Sequence, residues 1–267
     1  MKTKTQTRIT RTLRYLAGLS LLTCFAGAGV AQAETFSITN VQLFTTNDAE
    51  ADAFNGYGTD DEDLTVFRAE HFGGWEYGDN YISLDLFQGT DVGGSGSGSF
   101  GSDTKNHTFF VYQPRLFLPG LKNIGEGESF VRNVYFSYRR EQASYVDFYS
   151  DNAGLSVDLA VPGTQFFEID FLARKTNTDD GTKWLTRVVW LAPFSIGRVG
   201  AHFDGLVLVK STDDFGTNVL AQTDLLFDVL NEGQFQAGIR LEHASYDEPD
   251  GSDYSRTSPY LMAKLFF

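Results

Sequence analysis

Cysteine, proline and basic residues are scarce in this sequence: one Cys, six Pro and 21 Lys and Arg stand in 267 residues. A single thiol excludes a disulfide framework within the chain. Against 35 acidic residues the formal charge is −14, so the basic stripe that grips phosphates is missing and no nucleic acid partner is expected. Beyond the amino terminus no apolar run approaches the roughly 18 residues of a membrane-spanning helix. Histidine is sparse as well. His71, His107, His202 and His243 lie too far apart to form a metal-ligand pair, so neither a metal nor another cofactor is expected.

What the chain has in quantity is aromatic side chains and glycine. Phe, Tyr and Trp number 24, 12 and 3, and 27 Gly accompany them. Aromatic residues suit a pleated surface and Gly supplies turns, which favours strands over helices. At 42% hydrophobic and 21% charged residues, the chain is too apolar for a disordered acidic tail.

Residues 1–33 read as an address rather than as part of the fold. Lys2, Lys4, Arg8, Arg11 and Arg14 precede an apolar stretch from Tyr15 to Val30, and Ala31-Gln32-Ala33 supplies an A-x-A cleavage site. That is the layout of a secretory signal peptide. Leu21-Leu22-Thr23-Cys24 loosely resembles a lipoprotein signal, but Thr before the Cys fits it poorly. Cleavage after Ala33 leaves 16 basic and 35 acidic side chains, no cysteine, and a single expected domain over 34–267.

From Phe36 to Phe267 apolar and polar residues alternate. Ile82, Leu84 and Leu86 oppose Tyr81, Ser83, Asp85 and Phe87, and Phe167, Ile169 and Phe171 oppose Phe166, Glu168 and Asp170. Period two means strands with one apolar and one polar face. A water-soluble sandwich would alternate likewise, but three features favour a membrane barrel. Connections alternate between short and long, as hairpins facing opposite sides of a membrane do. Charges recur on the polar faces, as in Arg68 and Glu70 or Arg240 and Glu242, which suits a wet lumen. The chain ends on Leu261, Ala263, Leu265 and Phe267, an amphipathic strand of the kind received by the barrel insertion machinery.

The expected fold is therefore all-β: an antiparallel transmembrane β-barrel of about 12 strands in the bacterial outer membrane, surrounded by its lipid. The strands are placed at 36–46, 64–72, 80–88, 106–118, 130–140, 153–161, 164–174, 183–192, 197–209, 218–230, 234–245 and 259–267. Pro114 falls inside the fourth and should mark a bulge or distortion there.

Other chemistry is weakly signalled. Gly96-Ser97-Gly98-Ser99-Phe100-Gly101 matches G-x-G-x-x-G, but a strand follows it instead of the helix that a phosphate site needs. Asp60-Asp61-Glu62-Asp63 and the acids near Asp250 lack the ordered spacing of a calcium loop. An acyl hydrolase built on a barrel would need a Ser and a His held by a third group, and no G-x-S-x-G elbow occurs. The chain is not expected to be an enzyme.

Glu70-His71-Phe72, the aromatic turn with Trp75 and Tyr77, and Gln113-Pro114-Arg115 resemble the Tsx-type nucleoside-specific channel-forming outer membrane proteins. The likeness continues through Val134-Tyr135-Phe136 and Gly154-Leu155-Ser156-Val157-Asp158 to the terminal strand. It implies a monomeric twelve-stranded barrel with a narrow lumen that passes nucleosides down their gradient. Two departures bear on the solute: the family's Glu-Pro-Arg reads Gln113-Pro114-Arg115, and its aromatic-rich penultimate strand reads Leu241-Glu242-His243 here.

The lumen candidates are Arg68, Glu70, Tyr81, Asp85, Phe87, Arg115, Phe166 and Glu168. Rings could stack on a base and the polar groups could bond ribose hydroxyls; the plainer role for any one Arg–acid pair is bracing the wall. The expected function is passive passage of nucleosides or similar small polar solutes. The alternatives are a closed-lumen barrel acting as a structural or surface-recognition protein, and the hydrolase. Twenty of the 35 acids fall in the long connections, seven of them between residues 47 and 63, which predicts an acidic rim that discourages anions.

Overall fold

The computed structural model describes residues 36–49, 63–89, 106–144, 147–213, 216–230, 233–247 and 251–267. The expected signal peptide, the Gly96–Gly101 stretch and most acids between 47 and 63 lie outside these residues. The described chain forms twelve strands: β1 (Phe36–Thr46), β2 (Leu64–Trp75), β3 (Gly78–Gly89), β4 (Asn106–Phe117), β5 (Val131–Ala143), β6 (Tyr149–Leu159), β7 (Phe166–Thr176), β8 (Lys183–Ile196), β9 (Val199–Ser211), β10 (Thr217–Leu230), β11 (Phe235–Asp247) and β12 (Asp253–Phe266). Each pairs antiparallel with its neighbour in sequence, and β1 pairs with β12 to close the barrel. Closure leaves no strand edge exposed.

Alternation decides which side chains face inward. On β3 the pattern buries Ser83, Asp85 and Phe87 while Ile82, Leu84 and Leu86 face out, the phase read from the sequence. The inward set is largely polar: Gln42, Asp85, Gln113, Arg115, Asp170 and Arg240 are all buried. The outward set is apolar and exposed, with Leu43, Tyr112, Phe136, Phe171, Leu241 and Leu261 among it. No described helix is long and apolar enough to cross a membrane, which says nothing of a chain that crosses by strands.

Short connections join strands at the end where β1 begins and β12 finishes. Ile196 and Val199 pair across a two-residue turn in which Gly197 has φ +64, a conformation that costs glycine nothing. The longer link between β4 and β5 contains a single 3-10 turn, Ile124–Gly127, entered through Asn123 in the left-handed region. At the opposite end, Ala49 and Phe148 from two connections are buried against Phe44, Leu64, Val66 and Phe87.

Several expectations need correction. Pro114 marks a distortion, as expected, but not a bulge: the β4–β5 ladder skips Gln113 and Pro114 and resumes in register at Arg115 opposite Ser137. Proline lacks the N–H that a ladder position needs, so pairing lapses without an extra residue. Strands also run further than the alternation suggested: β6 begins at Tyr149, β12 at Asp253, and β5 extends to Ala143. Beyond the apolar band the outward positions become polar, so the alternation fades while the hydrogen bonds continue. The acidic rim shrinks accordingly. Glu141 is not in a loop but buried inside on β5, ion-paired to Arg139 at 2.7 Å, and Asp151 lies on β6, 2.6 Å from Arg140.

Candidate functional site: the barrel lumen

Antiparallel register brings Arg68 of β2 opposite Asp85 of β3, on the inward side of both strands. The guanidinium grips the carboxylate with two bonds, Nε to Oδ1 and Nη2 to Oδ2, each 2.7 Å. Such bidentate pairs hold both planes in place. Glu70, two residues along β2, accepts from Tyr81 Oη at 2.8 Å and from Gln42 Nε2 at 2.5 Å, and its carboxylate lies 3.8 Å from Arg68. Phe87 completes this group at 6% exposure, stacked on His107 with centroids 4.4 Å apart and planes 5° from parallel. One face of the Phe87 ring is thus already covered.

A second group is built on β3 to β8. Arg115 holds Asp79 through Nε at 2.7 Å and Nη2 at 2.6 Å, and its Nη1 reaches Asp158 at 3.1 Å and Glu168 at 2.7 Å. The same guanidinium lies over the Tyr135 ring, 4.1 Å from its centroid, while Tyr135 Oη donates to Asp158 at 2.6 Å. Arg187 binds Glu168 at 2.5 Å and Asp170 at 2.8 Å, and Ser156 also donates to Asp170. Two arginines therefore serve four carboxylates along this wall.

Gln113 ties β4 to β5 and β7. Its amide nitrogen donates to Asp170 at 3.0 Å and Ser137 at 3.2 Å, while its carbonyl accepts from Arg139 at 3.0 Å. A glutamate here would lose both donations and set a second carboxylate against Asp170.

Of the eight candidates, the fold unites Arg68, Glu70, Tyr81, Asp85 and Phe87 in one group and Arg115 and Glu168 in the other. Phe166 joins neither: it is the first residue of β7, opposite Leu191 and 38% exposed at the terminal end. A cavity of ≈ 90 Å³ lies between the β2–β5 wall and β8–β11 and is lined by Arg68, Tyr81, Asp85 and Phe87 among the candidates. It is also lined by Arg139, Glu141, Arg187 and Lys210, and by Leu206, Leu208 and Leu220, none of them singled out from sequence. Asp170 was visible as the next inward position after Glu168; the leucines carried no such signal.

The histidines are dispersed. His71 and His243 face outward and pair with Thr39 and Thr257 at 3.0 and 2.9 Å, while His202 lies 3.8 Å from Asp228. Among the described residues no group of three His, Cys, Asp or Glu could hold a metal ion.

At the end bearing the longer connections, three of them are latched together. The Asp213 N–H donates to Asp179 at 3.0 Å, the Asp180 N–H donates to Asp213 at 2.5 Å, and Lys183 pairs with Asp213. Asn177 accepts from the Tyr149 N–H and donates to the Asp147 carbonyl, which ties in the β5–β6 connection. Burial pushes the Asp179 carboxyl up, but the Asp213 N–H and Arg174 outweigh it and hold it below its ordinary value. Lys183 and the Asp180 N–H lower that of Asp213.

No family model and no curated protein matches the chain. Among solved structures it is similar to a KdgM porin, at 9% identity and a TM-score of 0.44, covering 87% of this chain and 99% of the other. A KdgM porin in complex with disordered oligogalacturonate matches over the same shares at 8% identity and a TM-score of 0.42. At these values neither likeness says what this barrel carries.

Proposed function

We propose that the chain is a passive outer-membrane channel for nucleosides or similar small polar solutes. One observation carries the reading: relative to a water-soluble protein the barrel is inside out, with aromatics and leucines exposed on its exterior and charges buried within. Such an exterior is at home in lipid hydrocarbon, and a closed barrel leaves no strand edge unpaired there. The expected signal peptide and the amphipathic terminal strand fit export and delivery by the barrel insertion machinery. The likeness to Tsx-type channels suggests the solute. Tyr81 offers a ring beside Arg68 and Asp85, where a base could stack for about 1–3 kcal/mol and ribose hydroxyls could bond the charged groups. Binding of that modest strength suits a conductor, since the solute must also leave.

Purified protein in planar bilayers should conduct ions, and uridine or adenosine should reduce the current. Tyr81→Ala should weaken that block by roughly 5- to 150-fold, the equivalent of one lost stacking contact. Absence of current overturns the channel, and a current indifferent to nucleosides overturns the solute. A blocked barrel is the second reading, favoured by the burial of Ala49 and Phe148 against Phe44, Leu64 and Val66. The same bilayer measurement separates the two.

A further inference from the structure

The cavity inside the barrel has two chemically different sides. On one, the arginines of β2 and β5 already hold acids: Arg68 with Asp85 at 2.7 Å and Arg139 with Glu141 at 2.7 Å; Arg187 of β8, beside the leucines, is likewise held by Asp170 at 2.8 Å. Lys210 also acts electrostatically on Glu141. A charged solute entering here would have to displace one of these pairs, whereas a neutral one can bond to groups whose charge is already balanced. On the other side stand Leu206 and Leu208 of β9 and Leu220 of β10, lining the same space and only half-buried. Register sets Leu208 opposite both Arg187 and Leu220, so all three strands point these side chains inward. A polar lumen gains nothing from aliphatic side chains facing its water; each leaves apolar surface wet at about 25 cal/mol per Å².

We propose that the lumen selects neutral amphipathic solutes, which lay an apolar part on Leu206, Leu208 and Leu220 and turn hydroxyl or amide groups toward the paired charges opposite. The proposal rests on the channel reading and narrows its solute class. A nucleoside, with an apolar base face and a hydroxylated sugar, belongs to that class; a solute that is hydroxylated all round does not.

The test uses 1,2-alkanediols from propane to hexane, with erythritol as the all-polar reference, as blockers of the bilayer current. Half-blocking concentration should fall about two- to fourfold per added methylene, the upper figure corresponding to complete burial of each. Leu208→Thr with Leu220→Thr, which keeps strand-favouring residues at both positions, should flatten that dependence. Block that ignores chain length, or a dependence the double variant preserves, overturns the proposal. Leucine-methyl NMR of the protein in lipid nanodiscs gives a readout that needs no current. Hexane-1,2-diol should shift the Leu206, Leu208 and Leu220 methyl signals, and unshifted signals overturn the proposal even in a conducting barrel. A barrel that does not conduct but shows these shifts loses the channel reading and keeps the site.

Discussion

The walls that face each other across the lumen are held by different forces. The β2–β7 wall is a ladder of buried ion pairs, in which Arg115 alone contacts Asp79, Asp158 and Glu168. Across from it, β9 and β10 set Leu206, Leu208 and Leu220 among polar groups such as Lys210 and Gln222 in the lumen, and on the outside Trp190 of β8 lies against Phe203 of β9 with ring centroids 5.8 Å apart. Buried pairs give geometric specificity but little net stability, because desolvation offsets most of the attraction. Apolar packing is less directional and more stabilising. A channel that must stay open and selective can use both: a rigid polar side that fixes where hydroxyls bond, and a greasy side that accepts varied apolar shapes.

Breaking the polar wall should have the largest effect. Arg115→Leu leaves Asp79 without its guanidinium and sets Asp158 and Glu168 closer to unopposed charge. The expected loss is about 3–5 kcal/mol of unfolding free energy, measured by urea titration of protein refolded into vesicles. Leu208→Ala on the opposite wall should cost no more than about 1 kcal/mol, since a half-buried leucine forfeits only part of its transfer free energy. Equal losses at the two positions would erase the distinction between the walls.

The aliphatic side is more sensitive on its outer face. Gly205 of β9 sits beneath Trp190: a Cβ there would overlap the indole ring and lie 2.7 Å from the Gln222 carbonyl. Gly205→Val should destabilise by about 1–3 kcal/mol through overpacking. The loss should be independent of salt, whereas any residual ion-pair contribution at Arg115 varies with it. A Trp190 emission maximum unchanged by the substitution would mean that the ring does not rest on this glycine.

These walls were unequally legible in the sequence. Strict alternation gives the phase of β3 and β7 and sets Tyr81, Asp85, Phe87 and Glu168 inward. In β9, Leu206-Val207-Leu208-Val209 is apolar on both faces, and a period cannot be read where both phases look alike. Pairs that cross between non-adjacent strands were invisible for another reason. Gln113 and Asp170 are 57 residues apart and meet only because barrel curvature brings β4 toward β7. Strand ends were misplaced wherever pairing outlasted the apolar band, which is how Glu141 passed for a loop residue.

The smallest predicted effect tests the seam between the walls, where the β7–β8 connection is latched to the β9–β10 connection through Asp179 and Asp213. Both carboxyls are held below their ordinary value, so the charged form is the one the fold favours. A depressed folded pKa contributes stability that is present above the unfolded value of about 3.9 and is lost as pH falls through the folded one. The latch should therefore hold at neutral pH and loosen only on acidification below that range. Amide hydrogen exchange should show the Asp180 and Asp213 N–H groups protected at neutral pH and unprotected in acid, after correction for the intrinsic rate. Asp179→Asn keeps an oxygen to accept the Asp213 N–H but removes the charge that Arg174 pairs with at 2.6 Å. It should lower protection at neutral pH and diminish the acid step, leaving what Asp213 contributes. Protection that persists in acid, or a step untouched in the variant, would place the hold in backbone geometry instead, and the two walls would then be joined without charge.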